Sequence, residues 1–134
     1  MPVIKSDVMP LRSEQDIVLA RQNVRKLTQE LSFSIVDQTK FVTAASELAR
    51  NTLIYGGGGE LHWEVVHEGI RKGLRLTFRD EGPGIPDLDQ AMTDGWTSGS
   101  GLGMGLSGSK RLVNEFDIES APGRGTKVVI TRWK

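Results

Sequence analysis

Apolar residues recur with a helical period in the first part of this chain. After Ser13, which is followed by Glu14 and Asp16 as in a capping box, they return every three or four positions, which predicts an amphipathic helix over about 14–31. Those residues are Ile17, Ala20, Val24, Leu27 and Leu31. Ser34 and Asp37 predict the cap of a second helix, which the glycine run 56–59 ends. Its buried stripe is Phe41, Val42, Ala45, Leu48 and Ala49.

After the glycine run the period of the pattern changes to two. Apolar and polar residues alternate over 61–66 and again over 74–79, which predicts two strands of a sheet covered on one face. The β-branched segment 126–133 predicts a final strand, and 3–11, interrupted by Pro10, fits an edge strand. We expect a short helix over 87–92 and a longer one over 104–116.

Helices on one side of a mixed or antiparallel sheet make an α+β two-layer sandwich. The 134 residues contain no repeat and no linker, so we expect one domain over 1–134. Lysine plus arginine balances aspartate plus glutamate at 17 each, which gives no electrostatic case for a nucleic-acid or membrane partner. No cysteine is present, which excludes thiolate metal sites and cysteine nucleophiles. We expect a cytoplasmic protein, because no apolar run approaches ~20 residues and no signal peptide begins the chain.

Asp80 is the most informative single residue. Leu74, Leu76 and Phe78 mark the inward phase of their strand, and the next inward position is this carboxylate. Burying an unpaired carboxylate costs several kcal/mol, so a donor is expected to meet it. The alternative is an ordinary aspartate at a strand end, leading into the turn 82–84.

Two further groups of residues suggest a ligand. Glu47 and Asn51 are four residues apart on the second predicted helix, so both project from one face, although a solvated helix edge would show the same pattern. The glycine-rich stretch 99–105 opens directly into a predicted helix, where backbone amides can cradle phosphates. It is not a P-loop, because no Gly-Lys-Ser/Thr triplet is present, and the preceding segment is a loop rather than the strand of a Rossmann unit.

Four segments in order carry a resemblance. They are Glu47-x-x-x-Asn51, Asp80-x-Gly82-x-Gly84, Gly101-x-Gly103-x-Gly105 and Gly123-x-Gly125-Thr126, which resemble the N, G1, G2 and G3 boxes of the GHKL ATPase and kinase superfamily. Segments 46–51 and 80–86 look most like the anti-sigma-type serine/threonine kinases, and in particular the switch kinases of the stressosome pathway. The resemblance implies a Bergerat-type sandwich, with a short ATP lid over 87–100.

The resemblance also implies roles for individual residues. Asp80 would accept a hydrogen bond from the adenine amino group, with Thr126 nearby; Asn51 would hold Mg²⁺, and Glu47 would accept the proton of the attacking hydroxyl. Arg50 would steady Glu47, contact the phosphoacceptor protein or form an exposed ion pair of little worth. Lys110 would meet phosphate or lie on a solvated helix face. The residues implied to bind ATP are Asn51, Asp80, Gly82, Gly84, Ile85, Gly99, Gly101, Leu102, Gly103, Met104, Gly105, Lys110 and Thr126.

The implied function is ATP- and Mg²⁺-dependent phosphorylation of serine or threonine on STAS-domain proteins of a stressosome. The released kinase would then activate a phosphatase of the RsbU type by binding it. Two alternatives stay open: an anti-sigma factor kinase that sequesters a sigma subunit, and a nucleotide-sensing module with little catalysis. Glu47 favours the kinases over the module.

Overall fold

A five-stranded antiparallel sheet with helices packed on one face forms the described part of the chain, which in this computed structural model is residues 2–85, 92 and 105–134. The sheet order is β1-β2-β3-β5-β4, and every neighbouring pair is antiparallel. The predicted α+β fold is confirmed, with an antiparallel rather than a mixed sheet. The elements in chain order are β1 Val3–Leu11, α1 Glu14–Glu30, α2 Ile35–Ile54, β2 Gly59–Glu68, β3 Arg71–Asp80, α3 Gly105–Arg111, β4 Glu115–Ser120 and β5 Thr126–Trp133.

Serine side chains begin the two long helices, as their spacing predicted. The Ser13 hydroxyl accepts from the Asp16 amide at 3.2 Å, and the Ser34 hydroxyl accepts from the Asp37 amide at 3.1 Å. Each bond satisfies an amide that has no partner within its helix.

None of the helices in the described ranges is long and apolar enough to cross a membrane.

The core lies between the helices and the inner face of the sheet. The predicted stripes of both helices are buried there, except Leu31, which follows α1 and is half-buried. The sheet contributes the buried inward residues of its three central strands, which are Leu61, Val65, Leu74, Leu76, Phe78, Val128 and Ile130. The period-two pattern of the sequence therefore identified the correct face of β3.

Polar side chains pair with one another on the outer face of the sheet. Arg75 on β3 donates two hydrogen bonds to the Glu64 carboxylate on β2, at 2.9 and 3.0 Å. Those bonds hold the pKa of Glu64 below its ordinary value of 4.5. At the far end of the sheet the Arg71 guanidinium lies 4.3 Å from the centre of the Trp133 ring, and the Trp133 indole donates to Glu115 at 2.6 Å.

The helix predicted over 104–116 is wrong in its second half. α3 ends at Arg111, and Phe116 lies on β4, an edge strand that the helical interpretation missed. Asn114 makes the turn between them: its amide donates to the Thr131 carbonyl at 3.0 Å, and its side chain accepts from the Trp133 amide at 2.7 Å. The helix ends there because the end of β5 holds the chain in a turn. The predicted helix over 87–92 falls outside the described residues, apart from Met92, which lies in a turn.

Candidate functional site

A cavity of about 310 Å³ opens between α2 and the inner face of β3 and β5. Most of its wall is apolar, and among the described residues that line it Asp80 is the one carboxylate. Its lining residues are Leu48, Asn51, Thr52, Tyr55, Gly56, Phe78, Asp80, Pro83, Gly84, Ile85, Leu106, Thr126 and Val128. The structure therefore brings five of the predicted site residues, Asn51, Asp80, Gly84, Ile85 and Thr126, together from three segments of the chain.

Asp80 is the last residue of β3 and is half-buried. Burial raises its pKa above the ordinary 3.8, and hydrogen bonds from the backbone amides of Gly82 and Thr126 oppose that rise. The Gly82 amide lies 2.9 Å from Oδ1. No cation in the described ranges lies within ion-pair distance of this carboxylate. Within the described ranges its negative charge is met by two amides, which leaves acceptor capacity toward the cavity.

Two glycines that line the cavity allow close approaches within its wall. A Cβ at Gly56 would overlap the Asp80 carboxylate, and a Cβ at Gly84 would overlap the Ala121 carbonyl. Gly84 also has a φ of +79°, which side chains of L-residues rarely adopt. Gly84 was predicted as a site residue, whereas Gly56 was read only as the end of a helix, because its contact with Asp80 exists only in the folded chain.

Ser120 joins the two glycine-containing turns of the site, and the sequence analysis missed it. Its hydroxyl accepts from the Ile85 amide at 2.8 Å and donates to the Gly125 carbonyl at 2.9 Å. The Thr126 hydroxyl lies 2.8 Å from the hydroxyl oxygen of Ser120. Thr126 therefore reaches Asp80 through its amide, while its hydroxyl belongs to the Ser120 network.

On α2, Asn51 lines the cavity and Glu47 lies one helical turn before it. The Asn51 side-chain nitrogen is buried and has no hydrogen-bond partner in the described part of the chain. A buried amide without a partner is costly, so this side chain fits a ligand that supplies the missing bond. Glu47 is half-buried and is not among the residues that line the cavity.

Arg50 forms the exposed ion pair that was one of its three predicted alternatives. Its Nη1 lies 3.8 Å from Oε1 of Glu14 at the start of α1, with 43% of the Arg50 side chain exposed. A pair this long and this exposed adds little stability.

Gly105, the last glycine of the predicted phosphate loop, is the first residue of α3. Gly99, Gly101, Leu102, Gly103 and Met104, together with most of the predicted lid, lie outside the described residues. Lys110 is exposed and lines a different cavity, between α3 and β4, beside Phe116 and Ile118. The structure does not bring Lys110 to the Asp80 cavity, and its phosphate contact stays a prediction.

The apolar wall of the cavity was not recognised from the sequence as part of a site. Leu48 and Phe78 were predicted as core residues, and both are nearly inaccessible to solvent. Leu106, Val128 and Tyr55 complete that wall. Nothing in the periodicity separates an apolar residue that packs against another side chain from one that borders a cavity.

Residues 36–134 match the family described as "Histidine kinase-, DNA gyrase B-, and HSP90-like ATPase". The chain belongs to this family. The match begins at the first turn of α2 and includes every described residue of the cavity.

Two curated relatives indicate which members of this ATPase family the chain resembles. Serine/threonine-protein kinase RsbT of Bacillus subtilis (strain 168) is 46% identical over 123 residues, which cover 92% of each chain. An anti-sigma F factor of Oceanobacillus iheyensis is 32% identical over 118 residues, covering 84% of this chain and 81% of the relative. The chain is thus a homologue of a serine/threonine-protein kinase, as the sequence analysis predicted, and the anti-sigma F factors are a related branch.

A solved structure agrees on the fold. A chain in the SiaB-SiaC complex from Pseudomonas aeruginosa superposes with a TM-score of 0.56, covering 98% of this chain and 91% of that chain. Sequence identity is 12%, so this likeness supports the fold alone.

Proposed function

We propose that this protein transfers a phosphoryl group from ATP to a serine or threonine hydroxyl on a STAS-domain partner. The observation that carries the proposal is the apolar cavity in which Asp80 is the one carboxylate among the described lining residues, in a homologue of a serine/threonine-protein kinase. A flat aromatic base with one amino group matches such a cavity, because apolar walls cover its faces and the carboxylate accepts from its edge.

Asp80 is the proposed acceptor for the adenine amino group. The amides of Gly82 and Thr126 fix its carboxylate, so its direction is set before the nucleotide arrives. Gly84 and Ile85 lie on the turn that forms one wall, and Ser120 holds that turn in place.

Asn51 is the proposed protein ligand of the metal. An amide oxygen suits Mg²⁺. The Asn51 nitrogen, which has no hydrogen-bond partner in the described ranges, would donate to a phosphate oxygen beside the metal. When bound, Mg²⁺ supplies positive charge that neutralises the phosphates. Within the described ranges no cluster of three or more His, Cys, Asp or Glu side chains could hold a metal, so phosphate and water oxygens would complete its shell. The glycines of 99–105 and Lys110 are proposed to meet the phosphates.

Glu47 is the proposed catalytic carboxylate. It lies one turn from Asn51 on the same helix, where it would orient the partner's hydroxyl and accept its proton. As the proton moves to Glu47, the hydroxyl oxygen bonds to the γ-phosphorus and ADP leaves with the electrons of the broken bond.

The proposed partners follow from the relationship to RsbT. They are STAS-domain proteins of a stressosome as substrates and an RsbU-type phosphatase as the protein that the released kinase activates, in the cytoplasm. A second candidate is an anti-sigma factor kinase that binds a sigma subunit, which the anti-sigma F factor relatives favour.

The test is incubation of the protein with γ-labelled ATP, Mg²⁺ and a purified STAS-domain protein from the same organism. The proposal predicts acid-stable label on a serine or threonine of the partner. ATP binding without transfer to any STAS protein or sigma-pathway protein would instead support a nucleotide-sensing module. Recovery of a sigma subunit rather than a STAS protein in a pull-down would favour the second candidate.

A further inference from the structure

Arg132 places a charge on the inner face of the sheet, next to apolar residues of its own strand. The inward positions before it on β5 are Val128 and Ile130, and both are buried. Only 14% of the Arg132 side chain is exposed, so its guanidinium needs partners inside the protein.

Those partners belong to two different helical segments. Nη2 donates to Oδ1 of Asp37, in the first turn of α2, at 2.6 Å. Nη1 donates to the carbonyl of Leu112, the residue after α3, at 3.0 Å. The hydrogen bond from Arg132 lowers the pKa of Asp37, so the pair stays ionised at neutral pH. Arg132 therefore links α2, β5 and the end of α3.

Stability alone gives a weak reason for this arrangement. The Arg132 side chain is 14% exposed and loses most of its water on folding, whereas its Asp37 partner stays 35% exposed, so the gain from pairing is largely offset. An apolar side chain could not make directional hydrogen bonds. The planar guanidinium makes one to Asp37 and one to Leu112, which fixes the positions of these two residues relative to each other.

The two linked helices carry the residues proposed to act on the phosphates. Asn51 lies 14 positions after Asp37 on α2, about 21 Å along a rigid helix. α3 runs back only seven residues from Arg111 to Gly105. Restraining the Asp37 end of α2 against the Leu112 end of α3 thus restrains where Asn51 and Gly105 lie relative to each other.

We propose that Arg132 is a positioning residue that fixes α3 against α2 and so sets the spacing of the phosphate-binding residues on the two helices. The inference rests on the proposed function. The base is held separately, by Asp80 and the turn that Ser120 clamps, so Arg132 acts on the phosphates and not on adenine.

The test compares Arg132→Met with Arg75→Met. Arg75 also makes two hydrogen bonds to its partner and is 23% exposed, but it joins two strands on the outer face. Arg132→Met should lower the affinity for ATP relative to adenosine by roughly tenfold, about the effect of one weakened hydrogen bond to a charged phosphate. Transfer should fall in parallel, because the reacting groups are no longer well placed. Adenosine affinity should stay unchanged. Arg75→Met should leave the ATP-to-adenosine ratio as in the wild type.

Hydrogen exchange of the α3 amides without nucleotide is the second measurement. It should speed up in Arg132→Met and not in Arg75→Met. Equal ratios and equal α3 exchange in the two variants would overturn the inference, as would equal losses of ATP and adenosine affinity. If the wild type itself binds no ATP, the proposed function fails, while the exchange result still decides whether Arg132 fixes α3. If Arg132→Met does not fold, Asp37→Asn replaces it with the same expected signs.

Discussion

Asp80 and Glu64 are carboxylates on neighbouring strands that face opposite sides of the sheet. Glu64 on the outer face receives two hydrogen bonds from Arg75, and its pKa is lowered. Asp80 on the inner face has no described cation beside it, and burial raises its pKa. The cavity begins at Asp80, whereas Glu64 is covered by its own partner.

The difference shows that a carboxylate can have two roles in this fold, one in stability and one in binding. A carboxylate whose acceptor sites are filled by an arginine adds to the stability of the sheet. A carboxylate that is partly desolvated and only partly hydrogen-bonded costs stability, and it keeps lone pairs for a ligand that donates. Perturbation of this second kind, in a cavity, is typical of a functional site.

Among the carboxylates of the candidate site Glu47, on α2, should show the largest effect. Glu47→Ala should lower phosphoryl transfer by roughly 10²- to 10⁴-fold, the usual scale for a positioned proton acceptor, while ATP binding is retained. Glu64→Ala is the outer-face control and should transfer at the wild-type rate. Initial rates of partner labelling measure both, and a wild-type rate in Glu47→Ala would remove that residue from the mechanism.

Asn51 should show the next largest effect. Asn51→Ala should lower the Mg²⁺-dependent gain in ATP affinity by roughly tenfold, about 1.4 kcal/mol, leaving metal-independent binding through the base. Asn23→Ala on α1, whose side chain contacts Met9, is the control. Calorimetric titrations with and without Mg²⁺ decide it. If the gain from Mg²⁺ is the same in both variants, Asn51 is not a ligand.

On the outer face the expected loss is one of stability. Arg75→Met should lower the free energy of unfolding by about 1–2 kcal/mol, because it leaves the Glu64 carboxylate without its two hydrogen bonds. Arg79→Met, an exposed arginine on the same strand, should change it little. Urea denaturation at pH 7 gives both values, and equal midpoints would mean that the Glu64 pair is as weak as an ordinary surface pair.

The two carboxylates should respond to pH with opposite signs. The pKa of Glu64 is lowered on folding, so its contribution is present above 4.5, the ordinary value, and is lost as the pH falls through the folded value. The pKa of Asp80 is raised, so ionisation costs stability once the pH exceeds 3.8. At pH 7, Glu64→Gln should be less stable than the wild type and Asp80→Asn more stable, with both differences shrinking toward pH 3. If both substitutions changed the stability at pH 7 in the same direction, the proposed contrast between Glu64 and Asp80 would be wrong.

Much of the fold could be predicted because helix caps and periodic apolar residues act locally. β4 could not be recognised by extending a helical pattern from α3, since the turn at Asn114 is fixed by hydrogen bonds to β5, far away in sequence. The signal was nevertheless present: Phe116 and Ile118 alternate with acidic residues, and Ser120 continues that inward phase.

The site shows the same limit. Asp80 could be singled out because a charged residue occupies an inward position of a strand whose other inward residues are apolar. Asn51 could be singled out because it lies one helical turn from Glu47. Gly56 and Ser120 were not, because each matters through contacts between loops that meet only in the fold. Lys110 shows the converse: a cation next to a glycine-rich segment in sequence lies at a different cavity from Asp80.

The most direct test of the account is ATP binding by Asp80→Asn beside Glu64→Gln, measured by calorimetry with Mg²⁺ present. Each change replaces a carboxylate by an amide of nearly the same shape. Asp80→Asn should lose detectable ATP binding, because an amide brings a donor toward the adenine amino group, whereas Glu64→Gln should bind ATP as the wild type does. Near-native affinity in a folded Asp80→Asn protein would contradict the assignment of Asp80 as the acceptor for the adenine amino group.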